Sequence, residues 1–282
     1  MSLTITNKSK SRCNKYEFNI YEHTLSLADL DTYILDVLYD ETNLNYLFQV
    51  DKPLSTNDRI KQLQRFIENS FKNKEHEIKD VEIIKFIDDN KIQSYYSFFA
   101  EALLARLNIQ FLDSKLIIGV INVGDNLKVV GTGADVCMFS DDKLVLGEAK
   151  FYGELYGGVD KIIKDTSFLS KLEDYISKVI GSDKEIILKG IDGNICIKTV
   201  EEIKKISLIL SGFVLHTKED PVSNYDKSYN LVEKIKIKEL EAHYNVHLYH
   251  LPIESKNELI FKAQRKALDL IIKLRGYDKS KR

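Results

Sequence analysis

Three ionisable side chains stand where a folding chain would ordinarily place none. In GTGADVCMFSDDKLVLGEAKFYG, residues 131–153, Asp135, Glu148 and Lys150 interrupt two runs that otherwise read as apolar strands joined by a polar turn. Burying an uncompensated carboxylate is costly, and like charges facing each other across a strand pair add to the cost. A divalent cation would remove both penalties. Two carboxylates, a backbone carbonyl and waters form the hard oxygen set that Mg²⁺ prefers. A lysine beside them suits orientation of a water, or stabilisation of charge developing on a phosphate.

The facing of the two carboxylates follows from counting. A two-residue turn at Asp141-Asp142 sets Ser140 opposite Lys143, and stepping outward sets Asp135 opposite Glu148. Alternation then groups Asp135, Cys137 and Phe139 with Leu144, Leu146, Glu148 and Lys150 on one face. Ala134, Val136 and Met138 share the other face with Val145, Gly147 and Ala149. Apart from the three charges both faces are apolar, as in a strand pair covered on both sides.

The tripeptide of an acid, any residue and a lysine carries little by itself. It recurs at Glu77-Ile-Lys79, Asp113-Ser-Lys115, Glu202-Ile-Lys204 and Glu254-Ser-Lys256, all in charged helices or turns where the side chains are solvated. Glu148-Ala-Lys150 alone lies in an apolar strand with a Gly-x-Asp opposite. A third carboxylate, Glu101, sits among Phe98, Leu104 and Ala105 on a helix with almost no polar face. It reads either as a further ligand of the same ion or as a helix-edge acid paired with a nearby Lys or Arg.

The elements that would position these residues are legible as patterns. SYYSFFAEALLARLNI (94–109) predicts a buried helix, apolar around nearly its whole circumference. Strands are predicted at 114–123 and 126–133, followed by the hairpin. Residues 157–181 predict a long amphipathic helix, and ISLILSGFVLHTK (206–218) a central strand. A last strand at 245–253 precedes a C-terminal helix beginning near Glu254. His243, His247 and His250 lie around that strand without a fourth zinc ligand at suitable spacing and read as strand-end polarity. Upstream, the first twenty residues read as loosely ordered or as a peripheral strand, and helices are expected at 26–43 and after Pro53. A charged connector at 71–80 marks a boundary between an N-terminal, mainly helical region (1–80), a candidate partner-docking surface, and an α/β core (81–282).

A chain of 282 residues with 44% hydrophobic and 30% charged content is that of a soluble globular protein. No apolar run approaches the roughly 18 residues of a transmembrane helix, and no signal-peptide pattern opens the sequence. Cys13, Cys137 and Cys196 are too scattered for a disulfide framework, which makes a reducing cytoplasm the expected compartment. A net charge of −2 argues against a surface coated for nucleic acid but leaves room for a local basic patch.

A helix bearing Glu101, a Gly-x-Asp strand with Asp135 and a strand with Glu148-Ala-Lys150, followed by helix and strand, resembles the PD-(D/E)xK nuclease superfamily over roughly residues 92–218. Gly133-Ala134-Asp135 replaces the name-giving Pro-Asp, and the following helix lacks the Gln-x-x-x-Tyr of the RecB-like branch. The resemblance implies a restriction-endonuclease-like αβββαβ core around a central mixed sheet, and a Mg²⁺-dependent deoxyribonuclease (Mn²⁺ as a substitute). By that likeness Asp135, Glu148 and the Ala149 carbonyl would hold the ion, Lys150 would position the attacking water, and Glu101 would hold a water on the metal or a second ion. Lys161 and Lys164 would touch phosphates and Tyr152 or Tyr156 would stack on bases; a solvated helix face and ordinary edge-of-core packing are the alternatives. More narrowly, the 131–153 segment, the chain length and the helical N-terminal region resemble the nuclease-subunit family of Hachiman anti-phage defence systems. That would imply a bacterial cytoplasm, DNA as substrate and a superfamily 2 helicase as partner. A catalytically silent subunit that regulates or loads the helicase, and a stand-alone restriction-type endonuclease, are the competing expectations.

Overall fold

The computed structural model describes residues 3–10, 16–23, 98–124, 126–130, 135–151, 160–162, 168–190, 193–217 and 244–253, with isolated positions at 55, 57 and 269. The chain divides into two compact units, Met1–Thr24 with Ala100–Glu254, and Leu25–Phe99 with Ser255–Arg282. Almost all of the second unit lies outside the described residues, including the helices expected at 26–43, after Pro53 and after Glu254. The first 24 residues, assigned by sequence to the N-terminal region, belong with the α/β unit.

That unit is built on a ten-stranded mixed sheet. Its strands are β1 (Leu3–Lys10), β2 (Tyr16–His23), β3 (Ile117–Val123), β4 (Asn126–Val130), β5 (Val136–Phe139), β6 (Lys143–Phe151), β7 (Ile186–Gly190), β8 (Ile195–Lys198), β9 (Ser207–Thr217) and β10 (Tyr244–Ile253). Their spatial order is β1-β2-β10-β9-β6-β5-β3-β7-β8, with β4 paired to β3. The helices are α1 (Phe98–Phe111), α2 (Phe168–Asp174), which runs on as a π-helical turn through Ile180, and the short α3 (Val200–Ile203). None of the described helices is long and apolar enough to cross a membrane.

The middle of the sheet follows from apolar content. β3, β5 and β6 form an antiparallel run, and β9 lies parallel to β6 on its other side, with β10 parallel to β9. Parallel neighbours need a crossover, which the helical segment between β6 and β9 includes. The LILSGF of β9, buried throughout with Ser211 as its one polar side chain, is what a strand covered on both faces requires. β7 and β8, which are not among the expected elements, form a hairpin beyond β3. A Gly193 N–H to Gly190 carbonyl bond closes its turn, and Gly193 takes a positive φ of 85° there.

One face of the sheet is packed by α2. Phe139, Leu144, Leu146, Leu208, Leu210 and Leu248 are buried in the same cluster as Phe168, Leu172, Tyr175 and Val179 of that helix. α1 meets the opposite face. A Cβ on Gly147 would come within 2.9 Å of Leu104 Cδ2, and Asn108 Oδ1 accepts a 2.6 Å hydrogen bond from Ser211 Oγ of β9. Leu104, Leu107 and Met138 are fully buried on this side. The β5–β6 hairpin is therefore enclosed between two helices, and Glu148, the buried charge at its open end, must find its partners within the protein.

Candidate active site

The hairpin has the expected register: Val136 faces Gly147, Cys137 faces Leu146, Met138 faces Val145 and Phe139 faces Leu144. The turn is at Asp141-Asp142, closed by a 2.9 Å bond from Ser140 N–H to the Lys143 carbonyl. Strand pairing stops at Val136, and the side chain of the next residue takes over. Asp135 Oδ2 accepts the backbone N–H of Ala149 at 2.8 Å, which satisfies an amide just beyond the last rung. This bond ties Asp135 to the strand that carries Glu148 and Lys150.

Glu148 is buried, and each carboxylate oxygen is held by a different ammonium. Lys150 Nζ donates to Oε1, and Lys171 Nζ, from α2, donates to Oε2. Lys150 also stands 3.8 Å from Asp135 Oδ2, so it bridges the two carboxylates. Exposure rises across the cluster. The Lys171 and Glu148 side chains are 3% and 6% exposed, whereas Asp135 is 22% and Lys150 33% exposed. The cluster therefore opens to solvent on the side of Asp135 and Lys150, and Lys171 closes its floor.

Electrostatics follow this gradient. Burial pushes the Asp135 carboxyl above its ordinary value, and the Glu148 charge pushes it further. The Ala149 N–H, Lys150 and Lys171 pull it back only in part. Burial lowers the Lys150 ammonium, but the hydrogen bond to Glu148 and the charges of Glu148 and Asp135 outweigh it, and the net direction is upward. Cys137, on the same face, has its thiol pushed up to about 12 by burial, which keeps it in the thiol form.

The conflict that pointed to a metal is thus met by the chain itself. Two carboxylates and two ammonium groups balance, so the facing acids are compensated by protein cations. Lys171 was not among the expected site residues. The signal was present: Phe168, Leu172, Tyr175 and Val179 mark the buried stripe of this helix, and Lys171 falls three residues after Phe168 and four before Tyr175. A lysine in an apolar stripe needs a buried partner, and Glu148 is that partner.

A divalent ion fits these residues on one observation. Lys150 Nζ already stands as a cation between Glu148 and Asp135, so oxygens of both acids converge on a position that favours positive charge. Two carboxylates with waters are a sufficient Mg²⁺ set. Among the described residues no group of three or more His, Cys, Asp or Glu side chains converges. Glu101 lies on α1, whose Leu104 and Asn108 pack on the opposite face of the sheet; the Glu101 side chain is outside the described residues. Lys161 is exposed on the helical segment 160–162, and Lys164, Tyr152 and Tyr156 fall outside the described residues.

No family model, curated protein or solved structure matches this chain.

Proposed function

We propose that this protein is a Mg²⁺-dependent deoxyribonuclease whose active site is the open end of the β5–β6 hairpin. The observation that carries the reading is the bridge of Lys150 between Asp135 and Glu148, at the solvent-facing edge of an otherwise buried cluster. The strand arrangement supports it as well. The αβββαβ order that the PD-(D/E)xK likeness implies can be traced through α1, the antiparallel β3, β5 and β6, α2 and the parallel β9, with β4 as an added strand on β3 and the β7–β8 hairpin inserted in the crossover.

In this reading Asp135 and Glu148 hold the ion, and the Ala149 carbonyl would complete the protein ligands. Bound there, Mg²⁺ would supply Lewis-acid charge to a phosphodiester oxygen. Lys150 is the group with freedom to act: partly exposed and charged, it orients the attacking water and stabilises charge on the phosphate. Water adds to phosphorus, the ester P–O bond breaks, and the products are a phosphate monoester and a free hydroxyl. Lys161 offers its charge to the DNA backbone. A helicase partner in an anti-phage complex rests on the sequence likeness alone and is tested by co-purification with candidate helicases.

The test of the main reading is Mg²⁺-dependent cleavage of duplex and single-stranded DNA by wild type and by Glu148→Gln and Lys150→Ala, with and without a partner helicase. Cleavage by wild type that both variants abolish is the expected result; unchanged cleavage in the variants sinks the site. A second reading has its own observation in its favour, because two carboxylates neutralised by two lysines need no metal to be stable. A catalytically silent subunit that regulates or loads a helicase would leave wild type inactive in every condition while the variants still altered helicase activity.

A further inference from the structure

The two lysines on Glu148 are not equivalent. Lys150 lies on the solvent-facing side, touches both acids, and has a short path to water or to a phosphate. Lys171 is enclosed by the α2 face of the sheet and comes from a helix whose neighbouring residues Phe168, Leu172 and Tyr175 are fully buried. Its charge cannot leave Glu148 without being stranded in apolar surroundings. A cation entering between Asp135 and Glu148 can therefore displace Lys150 but not Lys171.

Building on the reading of this cluster as a divalent-cation site, we propose that Lys171 is its resident cation: it stays on Glu148 Oε2 throughout and caps the affinity for the free ion, while Lys150 is the gate that an anionic phosphate draws aside. The charge count gives the reason. With both lysines in place the cluster is neutral and offers little attraction to Mg²⁺. With Lys150 turned toward a substrate phosphate, Asp135, Glu148 and Lys171 together carry one net negative charge, enough to hold one divalent ion beside Oε1. The ion is then held tightly only when DNA is present, and Lys171 fills the place that a second ion would otherwise take on Glu148.

This assignment predicts an uncommon sign. Removing a residue that merely orients a metal ligand weakens metal binding, whereas removing a competing charge strengthens it. Lys171→Met and Lys171→Gln, the second keeping a hydrogen-bond donor without charge, are titrated with Mg²⁺ and with Mn²⁺ by calorimetry on the full-length protein without DNA. Melting is followed in parallel. Both variants should bind at least about tenfold more tightly than wild type, as expected for deleting a unit charge a few ångströms from a divalent ion. Both should also melt lower than wild type without metal and recover most of the difference at saturating Mg²⁺. Equal or weaker binding in the variants, with measurable binding in wild type, overturns the role given to Lys171 and leaves the metal site standing. Absence of binding by wild type and both variants instead overturns the metal site and this role together. Failure of both variants to fold even at saturating Mg²⁺ also overturns it, because the ion would then be unable to replace the ammonium.

Discussion

The two ends of the β5–β6 hairpin carry nearly the same chemical groups and do opposite things with them. At the turn, Lys143 contacts Asp113 at 3.2 Å and Asp142 at 3.1 Å, and Ser140 Oγ donates to Asp113 at 3.0 Å. At the open end, Lys150 and Lys171 contact Glu148, and Lys150 reaches Asp135. Both ends hold two carboxylates and at least one lysine, but the Asp142 side chain is 73% exposed and Glu148 only 6%. At the turn, the Lys115 N–H on Asp113 and the Lys143 hydrogen bond on Asp142 hold both acids below their ordinary range, against a weaker opposing effect of burial. At the open end burial dominates, and Asp135 is raised despite two neighbouring ammonium groups. The turn thus uses charge to fasten a loop, whereas the open end keeps charge that an apolar replacement would spare it. Burial kept at such a cost marks the end to be broken first.

The largest contrast is expected from deleting the centre of each network. Glu148→Ala leaves Lys171 charged and unpaired within the core, and loss of one partner of a buried ion pair costs about 3–5 kcal/mol. Chemical denaturation should show that loss, together with complete loss of Mg²⁺-dependent DNA cleavage. Asp142→Ala at the other end should leave both cleavage and ion binding unchanged. Equal destabilisation by the two substitutions would mean that exposure does not separate the ends.

Lys150→Ala separates activity from stability within the open end itself. Its side chain is one-third exposed and Glu148 keeps Lys171, so stability should change by no more than about 1 kcal/mol. Cleavage should fall on the order of 10²–10³-fold, the range for removing one group that stabilises developing charge. The measurement is single-turnover cleavage beside a melting curve of the same preparation. A drop in stability matching that of Glu148→Ala would make Lys150 a structural partner.

How far these networks could be read from sequence depends on what each residue's surroundings encode. The Asp141-Asp142 turn and the alternation of Val136–Phe139 with Leu144–Gly147 specify a register, because a one-residue slip would exchange buried and exposed faces. The apolar run of β9 likewise identified a strand paired on both sides. Lys171 is not marked by its local sequence, because its partner is 23 residues away and a lysine on an amphipathic helix ordinarily points to water. β7 and β8 are only five and four residues long; β7 buries Ile186 and Leu188 on alternate positions, but the outward side chains Ile195 and Ile197 of β8 are 61% and 57% exposed, so apolar content does not mark which face of β8 is inward. β1 joins the sheet through antiparallel pairing with β2, and β2 through parallel pairing with β10, more than 220 residues away in sequence, a backbone pairing that the polar sequence LTITNKSK does not announce. The 1–80 region's role as a docking surface lies almost wholly outside the described residues.

Lys143→Ala measures the fastening at the turn. The lysine serves two carboxylates, and the Asp113 side chain is only 14% exposed, which places the pair toward the upper end for surface ion pairs. The expected loss is about 0.5–1 kcal/mol, reduced further in high salt. Ser140 and the Lys115 N–H still hold Asp113, so the hairpin register should persist, and DNA cleavage should be unaffected. A loss comparable to that of Glu148→Ala would show the turn network to be as deeply integrated as the open end.

The finest discriminator is the direction in which pH acts on each end. The ordinary value for both Asp135 and Asp113 is 3.8, and folding moves them in opposite directions. A raised carboxyl binds more protons folded than unfolded, so its contribution to stability falls as pH rises from 3.8 through the raised value. A lowered carboxyl binds fewer protons folded, so its contribution is present above 3.8 and is lost as pH falls through the lowered value. The stability of wild type minus that of Asp135→Asn should therefore decrease with rising pH in the metal-free protein, and the difference for Asp113→Asn should increase. Saturating Mg²⁺ should reverse the first slope, because an ion on Asp135 favours the charged carboxylate, and leave the second as it was. Two slopes of the same sign without metal would remove the electrostatic distinction between the ends. Opposite slopes that Mg²⁺ left untouched would keep that distinction and assign the buried cluster to the silent-subunit reading.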